Sequence, residues 1–267
     1  MTQDALHTDT LVRQSIAGDK EALNELVTII QKDIYHLSFR MQGNLEDAMD
    51  ATQEILIRVI THLSTFKFNC SFTTWCYRVA INYLLNEKKR RSIRTTLSFE
   101  QLGGYLETGL SDYEGNDAKE KKMLEDEVQR VCTLGMVQCL NEQSRIVFIL
   151  GEVLDFNSIE GADLMNISSE NFRQLLSRAR KKITDFTYTY CGKTRKGARC
   201  SCDKAINRSL AKGLIKEDPL ALAQTAASTT LLNNLDGLLT NKAFFQQPPS
   251  KTVPTKIMEE IRKAIQV

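Results

Sequence analysis

The chain has 267 residues, 42% of them hydrophobic and 25% charged, with a formal net charge of +2. Those values exclude a fibrous or wholly disordered chain and leave room for two domains of ordinary size. No apolar run approaches the ~20 residues that span a bilayer. The start MTQDALHTDT lacks the pattern of a secretion signal, so a cytoplasmic protein is expected, its seven cysteines thiols or metal ligands rather than a disulfide framework.

Four prolines, three of them at Pro248, Pro249 and Pro254, leave most of the chain free to be helical, and no sustained strand alternation is present. A short helix is predicted over Leu11 to Ala17, stopped by Gly18 and Asp19. The next runs from about Lys20 to Met41, with Leu23, Leu26, Val27, Ile30, Ile34 and Leu37 at helical spacing. A third covers Asp47 to Leu63. Ala48, Ala51, Ile55 and Val59 form its buried side, and Asp47, Asp50 and Glu54, with Gln53 beside them, form an acidic stripe. A solvated face would explain that stripe, but it would also suit a basic protein partner.

Ser71 is placed to cap a fourth helix running to about Arg91. That helix carries Trp75, Tyr77 and Tyr83 and ends in Lys88, Lys89, Arg90 and Arg91. Trp75, Val79 and Tyr83 could be plain core; alternatively, aromatic faces stack on unpaired bases while the cations hold the backbone of a single strand. Phe66 and Phe68, in the loop before it, read as a pocket wall.

From Thr96 to Glu127 nine acidic residues stand against three lysines, interspersed with Gly103, Gly104, Gly109 and Gly115. A linker with little fixed structure is expected there. A second helical block follows, to about Tyr188. Within it a helix near Ser158 to Met165, the turn Asn166-Ile167-Ser168 and a helix from Ser169 form a helix-turn-helix pattern. Phe172, Leu175, Leu176, Ala179 and Ile183 make one apolar stripe, leaving Glu170, Arg173, Gln174, Ser177, Arg178, Lys181 and Lys182 outside. A helical hairpin with a solvated basic face is the plain alternative. The local excess favours DNA: from Arg173 to Lys216 there are 13 basic residues and two acidic ones. Arg and Gln can then pair with base edges in the major groove and Lys with phosphates.

The segment CGKTRKGARCSC places Cys191, Cys200 and Cys202 close in sequence. Three thiols could bind zinc, but a structural site usually has four ligands. Cys132, Cys139 or a second chain could supply the fourth. Redox thiols activated by the neighbouring cations are the alternative, and a basic tail with incidental cysteines a third reading. Beyond the breaker run QQPPSKTVP, Pro254 suits a helix start, with Ile257, Ile261 and Ile265 on one face.

Two blocks resemble one family. DAMDATQEILIRVITHL, FKFNCSFTTWCYRVAIN and LLNEKKRR are similar to region 2 of bacterial RNA polymerase sigma factors of the small extracytoplasmic-function (ECF) type, and LNEQSRIVFIL through NFRQLLSRARKKI resembles their region 4. A subset of that family also has a cysteine-containing extension after region 4. The resemblance implies an all-α protein: region 2 at 1–95, an acidic flexible linker at 96–127, region 4 at 128–188 and a partly helical C-terminal extension at 189–267. It implies core polymerase and promoter DNA as partners, with an anti-sigma factor a further one. Asp47, Asp50, Gln53 and Glu54 would dock on the polymerase. Phe66, Phe68, Asn69, Ser71, Thr74, Tyr77, Arg78 and Asn82 would capture opened −10 bases, with Lys88 to Arg91 on nearby backbone. Ser169, Glu170, Asn171, Arg173, Gln174, Ser177, Arg178 and Lys181 would read the −35 duplex, and the linker would thread polymerase channels. No catalytic residue is expected, since neither a phosphate-binding glycine loop nor a nucleophile triad is evident. The rival readings are a DNA-binding regulator that acts without polymerase and a thiol- or metal-based redox protein.

Overall fold

A computed structural model describes residues 3–90, 97–115 and 117–215, with residues 3, 4 and 87–90 by backbone alone. The described residues are all-α apart from one isolated bridge between Cys191 and Cys200. The chain separates into two compact units. Among the described residues, the first holds 3–90 and 159–168, and the second 97–115, 117–158 and 169–215. The expected terminal helix after Pro254 lies outside the described residues.

The first unit is built on α1 (Gln3–Ile16), α2 (Lys20–Gln42), α3 (Leu45–Thr61) and α4 (Phe72–Arg90). The first helix is longer than its short apolar pattern predicts. Helix α2 is bounded as its sequence demands. The Asp19 carboxylate accepts from the N–H groups of Glu21 and Ala22, and Gly43, at φ 77°, ends the helix in the left-handed region. It packs against α1, α3 and α4. Leu26, Val27, Ile30 and Ile34 meet a core that includes Ala51, Ile55, Leu56, Ala80 and Ile81, each 2% exposed or less. Each large aliphatic side chain so enclosed contributes roughly 1.5–3 kcal/mol. A short 3-10 turn, Leu63–Thr65, leads to the loop before α4. Helix α8 (Ser158–Met165) is grouped almost entirely with this unit, and Asn166, at φ 53°, turns the chain at its end.

In the second unit α5 (Phe99–Leu106), α6 (Ala118–Gln138), α7 (Glu142–Phe148) and α9 (Ser169–Tyr190) surround a second core, and α7 continues into a π-helical turn, Ile149–Val153. Arg145 joins α6 to α7. Only 1% exposed, it donates to the carbonyls of Val137 (3.1 Å), Gln138 (2.6 Å) and Leu140 (3.0 Å) and to Gln138 Oε1 (2.7 Å). The carbonyls of Val137 and Gln138 end α6, where intrahelical partners run out, and that of Val137 also accepts from the Leu140 N–H at 3.2 Å. Burial lowers the Arg145 pKa to about 10, so it remains charged at neutral pH. Gly151 lets the π-turn approach α9, because a Cβ there would stand 2.7 Å from Leu176 Cδ2.

The acidic stretch is not the structureless linker expected at 96–127. Ser98 and Gln101 form a reciprocal capping box that starts α5. Phe99 packs on Phe186 at 5.3 Å, and Gly103 lies so close to Tyr190 that a Cβ would meet its ring at 2.5 Å. The last carbonyls around α5, those of Tyr105, Leu106 and Thr108, all accept from Arg208 at 3.0–3.2 Å. Arg208 lies on α10 (Ile206–Ala211), beyond the cysteine segment. The neighbouring Asn207 donates to Ser111 Oγ and to the Asp112 carbonyl, both at 2.9 Å. The glycines and acids suggested disorder, but a distant arginine satisfies the backbone and aromatic residues cover the apolar face. Helix α6 likewise begins at Ala118, with Asp117 as its cap, about nine residues before the expected second block.

Candidate nucleic-acid interfaces

In the first unit a cleft of about 540 Å³ opens between the end of α3 and α4. Arg58, His62, Trp75, Arg78, Asn82 and Tyr83 line it. The α4 members recur at one-turn spacing, so a single helical face presents them. Ser71 caps that helix as predicted: its Oγ accepts from the Thr74 N–H at 3.1 Å. The Trp75 indole stacks on Phe72 (centroids 6.0 Å apart, 27° between planes) and lies 5.6 Å from Phe66. It is half-buried, with the cleft beside it. The Arg58 guanidinium lies 5.0 Å from the centre of the Tyr83 ring. Flat aromatic faces among cations suit stacked bases and the phosphates joining them.

In the second unit α9 shows the division its periodicity predicts. Phe172, Leu176, Ala179 and Ile183 are buried, while Arg173, Gln174, Ser177, Arg178, Lys181 and Lys182 are exposed. Glu170, Arg173, Gln174, Ser177 and Arg178 line a shallow groove of about 500 Å³. Glu170 accepts from Arg173 at 2.6 Å and from Gln174 at 3.1 Å, and those bonds hold its carboxyl below its usual pKa. Arg180 instead turns inward, its Nε donating to the buried Glu152 at 2.8 Å. Lys181 has one exposed partner, Asp185, at 3.3 Å.

Comparison with known proteins identifies the family. Residues 26–93 match the family model for Sigma-70 region 2, and residues 130–183 match that for Sigma-70 region 4. The chain is 30% identical over 179 residues to the RNA polymerase sigma-H factor of Pseudomonas aeruginosa, covering 65% of this chain and 90% of that protein. The chain belongs to the RNA polymerase sigma factors of ECF type. It is also 28% identical over 176 residues to the ECF RNA polymerase sigma factor SigW of Bacillus subtilis, covering 64% of this chain and 92% of that protein. Among solved structures, CnrH in complex with the cytosolic domain of CnrY aligns with a TM-score of 0.46 at 19% identity, covering 67% of this chain and 96% of that one.

The side chains of this sigma factor correct several expectations. Phe66 is 5% exposed and Tyr77 6% exposed, so neither presents a ring to DNA. Phe66 is held among Phe68, Phe72 and Trp75 because an isolated ring at a loop base gains most by joining its neighbours. Burial, with the nearby Asp33 charge next, raises the Tyr77 hydroxyl pKa above its ordinary value. Phe68 is half-buried at φ 57°, with the Arg13 guanidinium 4.2 Å from the centre of its ring. Asn69, Ser71 and Asn82 are exposed and Thr74 is half-buried. Arg78 is engaged with Asp163 at 2.6 Å. Helix α4 extends through Lys88, Lys89 and Arg90, while the side chains of these residues, and all of Arg91, lie outside the described residues.

The acidic stripe also changes. Asp47 is 6% exposed, and its carboxylate accepts from the Asn44 side chain while its N–H donates to Asn44 Oδ1 at 2.9 Å. It belongs to the start of α3, leaving Asp50 and Glu54 exposed and Gln53 half-buried. Sequence reasoning passed over Arg58, His62 and Asn86 as cleft residues. For Asn86 the signal was present, since Trp75, Arg78, Asn82 and Asn86 repeat every three to four positions. Arg58 and His62 lie on α3 and beyond it, and only the folded unit brings them there. At the N-terminal end of α9, Ser169 is half-buried and Asn171 exposed.

Proposed function

We infer that this sigma factor directs core RNA polymerase to promoters by two separate contacts. The exposed polar face of α9 reads the −35 element as duplex, and the α3–α4 cleft holds unpaired −10 bases once the strands part. The observation that carries this reading is the presence, in one chain of this family, of both an exposed Arg/Gln/Lys helix face and a cleft combining Trp75 and Tyr83 with Arg58. Opening a duplex sacrifices stacking, and each base stacked on an aromatic ring returns roughly 1–3 kcal/mol. Asp50 and Glu54 offer the polymerase an acidic face turned away from any role on DNA. RNA synthesis would belong to the polymerase, and the complex would act in the cytoplasm, where its partners are.

Run-off transcription with core polymerase on a promoter library tests this directly. A defined start site that requires this chain is expected. DNA binding without association with core polymerase would favour the regulator that acts alone. Affinity purification from the native cell would also reveal the anti-sigma partner expected from the resemblance.

A further inference from the structure

Four of the seven cysteines converge in the second unit. Cys191 immediately follows α9 and pairs with Cys200 through the isolated parallel bridge, where the Gly192 N–H donates to the Cys200 carbonyl at 2.8 Å. The return of the chain lays Cys200 and Cys202 on the core that contains Leu124 and Val128 of α6. Lys193 spans from the same loop to Gln129 on that helix. Cys132 is one helical turn beyond Val128 and Gln129, so it shares the face on which the loop rests. The sulfurs of Cys191, Cys202 and Cys200 lie near enough to Cys132 to act on it electrostatically. Cys139 stands apart. Its pKa, pushed up to about 11 by burial, is otherwise influenced by Arg145 and by no other thiol.

Two cations accompany the sulfurs. Arg208 lies beside Cys200, and Lys193 lies beside Cys202. Arg208 is 8% exposed, and its Nε is buried with no hydrogen-bond partner among the described residues. A zinc ion held by four thiolates carries a net charge of about −2, which an arginine and a lysine beside the sulfurs offset. Metal-bound sulfurs commonly gain such neighbouring donors.

We propose that Cys132, Cys191, Cys200 and Cys202 form a tetrahedral site for a thiophilic divalent cation, zinc above all, with Lys193 and Arg208 neutralising its charge. Cys191 and Cys200 are already bridged through the backbone, whereas no three His, Cys, Asp or Glu side chains among the described residues stand at ion-holding spacing. Binding therefore draws the sulfurs inward by rotation about their Cα–Cβ bonds. Each S–H loses its proton to solvent as a sulfur–metal bond replaces it, and no electron is transferred. A Cys191–Cys200 disulfide would use two of the thiols and leave Cys132, Cys202 and both cations without a role. The site would tie the loop after α9 to α6, and through Arg208 it would also fix the end of α5.

The experiment uses the full chain, purified with reductant, stripped of metal and titrated with cobalt(II). Thiolate-to-cobalt charge-transfer absorption with tetrahedral d–d bands is expected, saturating at one ion per chain, and zinc should displace it. Cys132→Ser should weaken cobalt binding at least tenfold, and Cys139→Ser should leave it unchanged. The wild-type spectrum stands as a test even if Cys132→Ser fails to fold. Absence of thiolate–cobalt bands in the wild type would overturn the site, as would equal binding by Cys132→Ser. Peptide mapping that finds Cys191 and Cys200 disulfide-linked in metal-free protein purified without reductant, and no cobalt binding after reduction, would overturn it too.

Discussion

The two nucleic-acid surfaces differ in how much of their chemistry the fold leaves visible. On α9 the residues proposed to read DNA are polar, so the hydrophobic effect that buries Phe172 and Leu176 automatically leaves Arg173, Gln174 and Arg178 outside. On and beside α4 the groups proposed to bind bases are themselves aromatic. The same force that would stack them on bases also draws them into the core, where Phe66 and Tyr77 stay, while Trp75 stops halfway. A duplex reader can therefore be identified from periodicity, whereas a single-strand binder has to be sorted ring by ring in the folded protein.

The largest effect expected from breaking this contrast lies in the scaffold under α9. Arg145→Ala would strand buried carbonyls at the end of α6, each costing ~1–3 kcal/mol. A loss of about 4 kcal/mol in denaturant unfolding of the second unit is expected, with duplex binding falling alongside it. In the first unit, His36 supplies a pH dependence of its own. Burial, then Arg40 and Lys32, lower its pKa from 6.5 to about 4. The unfolded chain therefore binds the proton first: above pH 6.5 there is no cost, and stability falls as pH drops from 6.5 towards 4. At ~1.4 kcal/mol per unit the loss is about 3 kcal/mol, and His36→Gln should flatten the profile measured by thermal unfolding.

The cleft itself is tested by Trp75→Ala. With core polymerase, binding to forked promoter DNA should weaken by about 2 kcal/mol, the worth of one stacked base, while recognition of the −35 duplex is retained. Equal loss on both DNAs would remove the distinction between the surfaces. On α9, Arg173→Ala should relax base preference by roughly 1–2 kcal/mol at one position, read by competition among promoter variants. The smallest effect is expected from Lys181→Ala. It should weaken binding uniformly and reduce the slope of log K against log salt by ~0.9.

Much of this was legible before folding. Asp19 and Gly43 bound α2, Ser71 caps α4, and the turn at Asn166 and the start at Ser169 fall where their residue chemistry places them. Each is a local event between residues a few positions apart. The acidic stretch was misread because its order depends on Arg208, about 100 residues away, and on Phe186 and Tyr190. Asp47 was misread for a subtler reason. Its helical position matches Asp50 and Glu54, but its carboxylate faces Asn44 at the helix start.

The amino-acid sequence alone determined the helices, their caps, the family and the polar face of α9, because these follow from spacing and from backbone chemistry within a turn or two. Tertiary structure decided which aromatic rings remain exposed, that residues 99–115 are ordered within the second unit, and that Cys132 rather than Cys139 lies near the other three cysteines. Those outcomes depend on contacts between residues tens of positions apart, where burial and hydrogen-bond satisfaction are settled only once the chain has closed on itself.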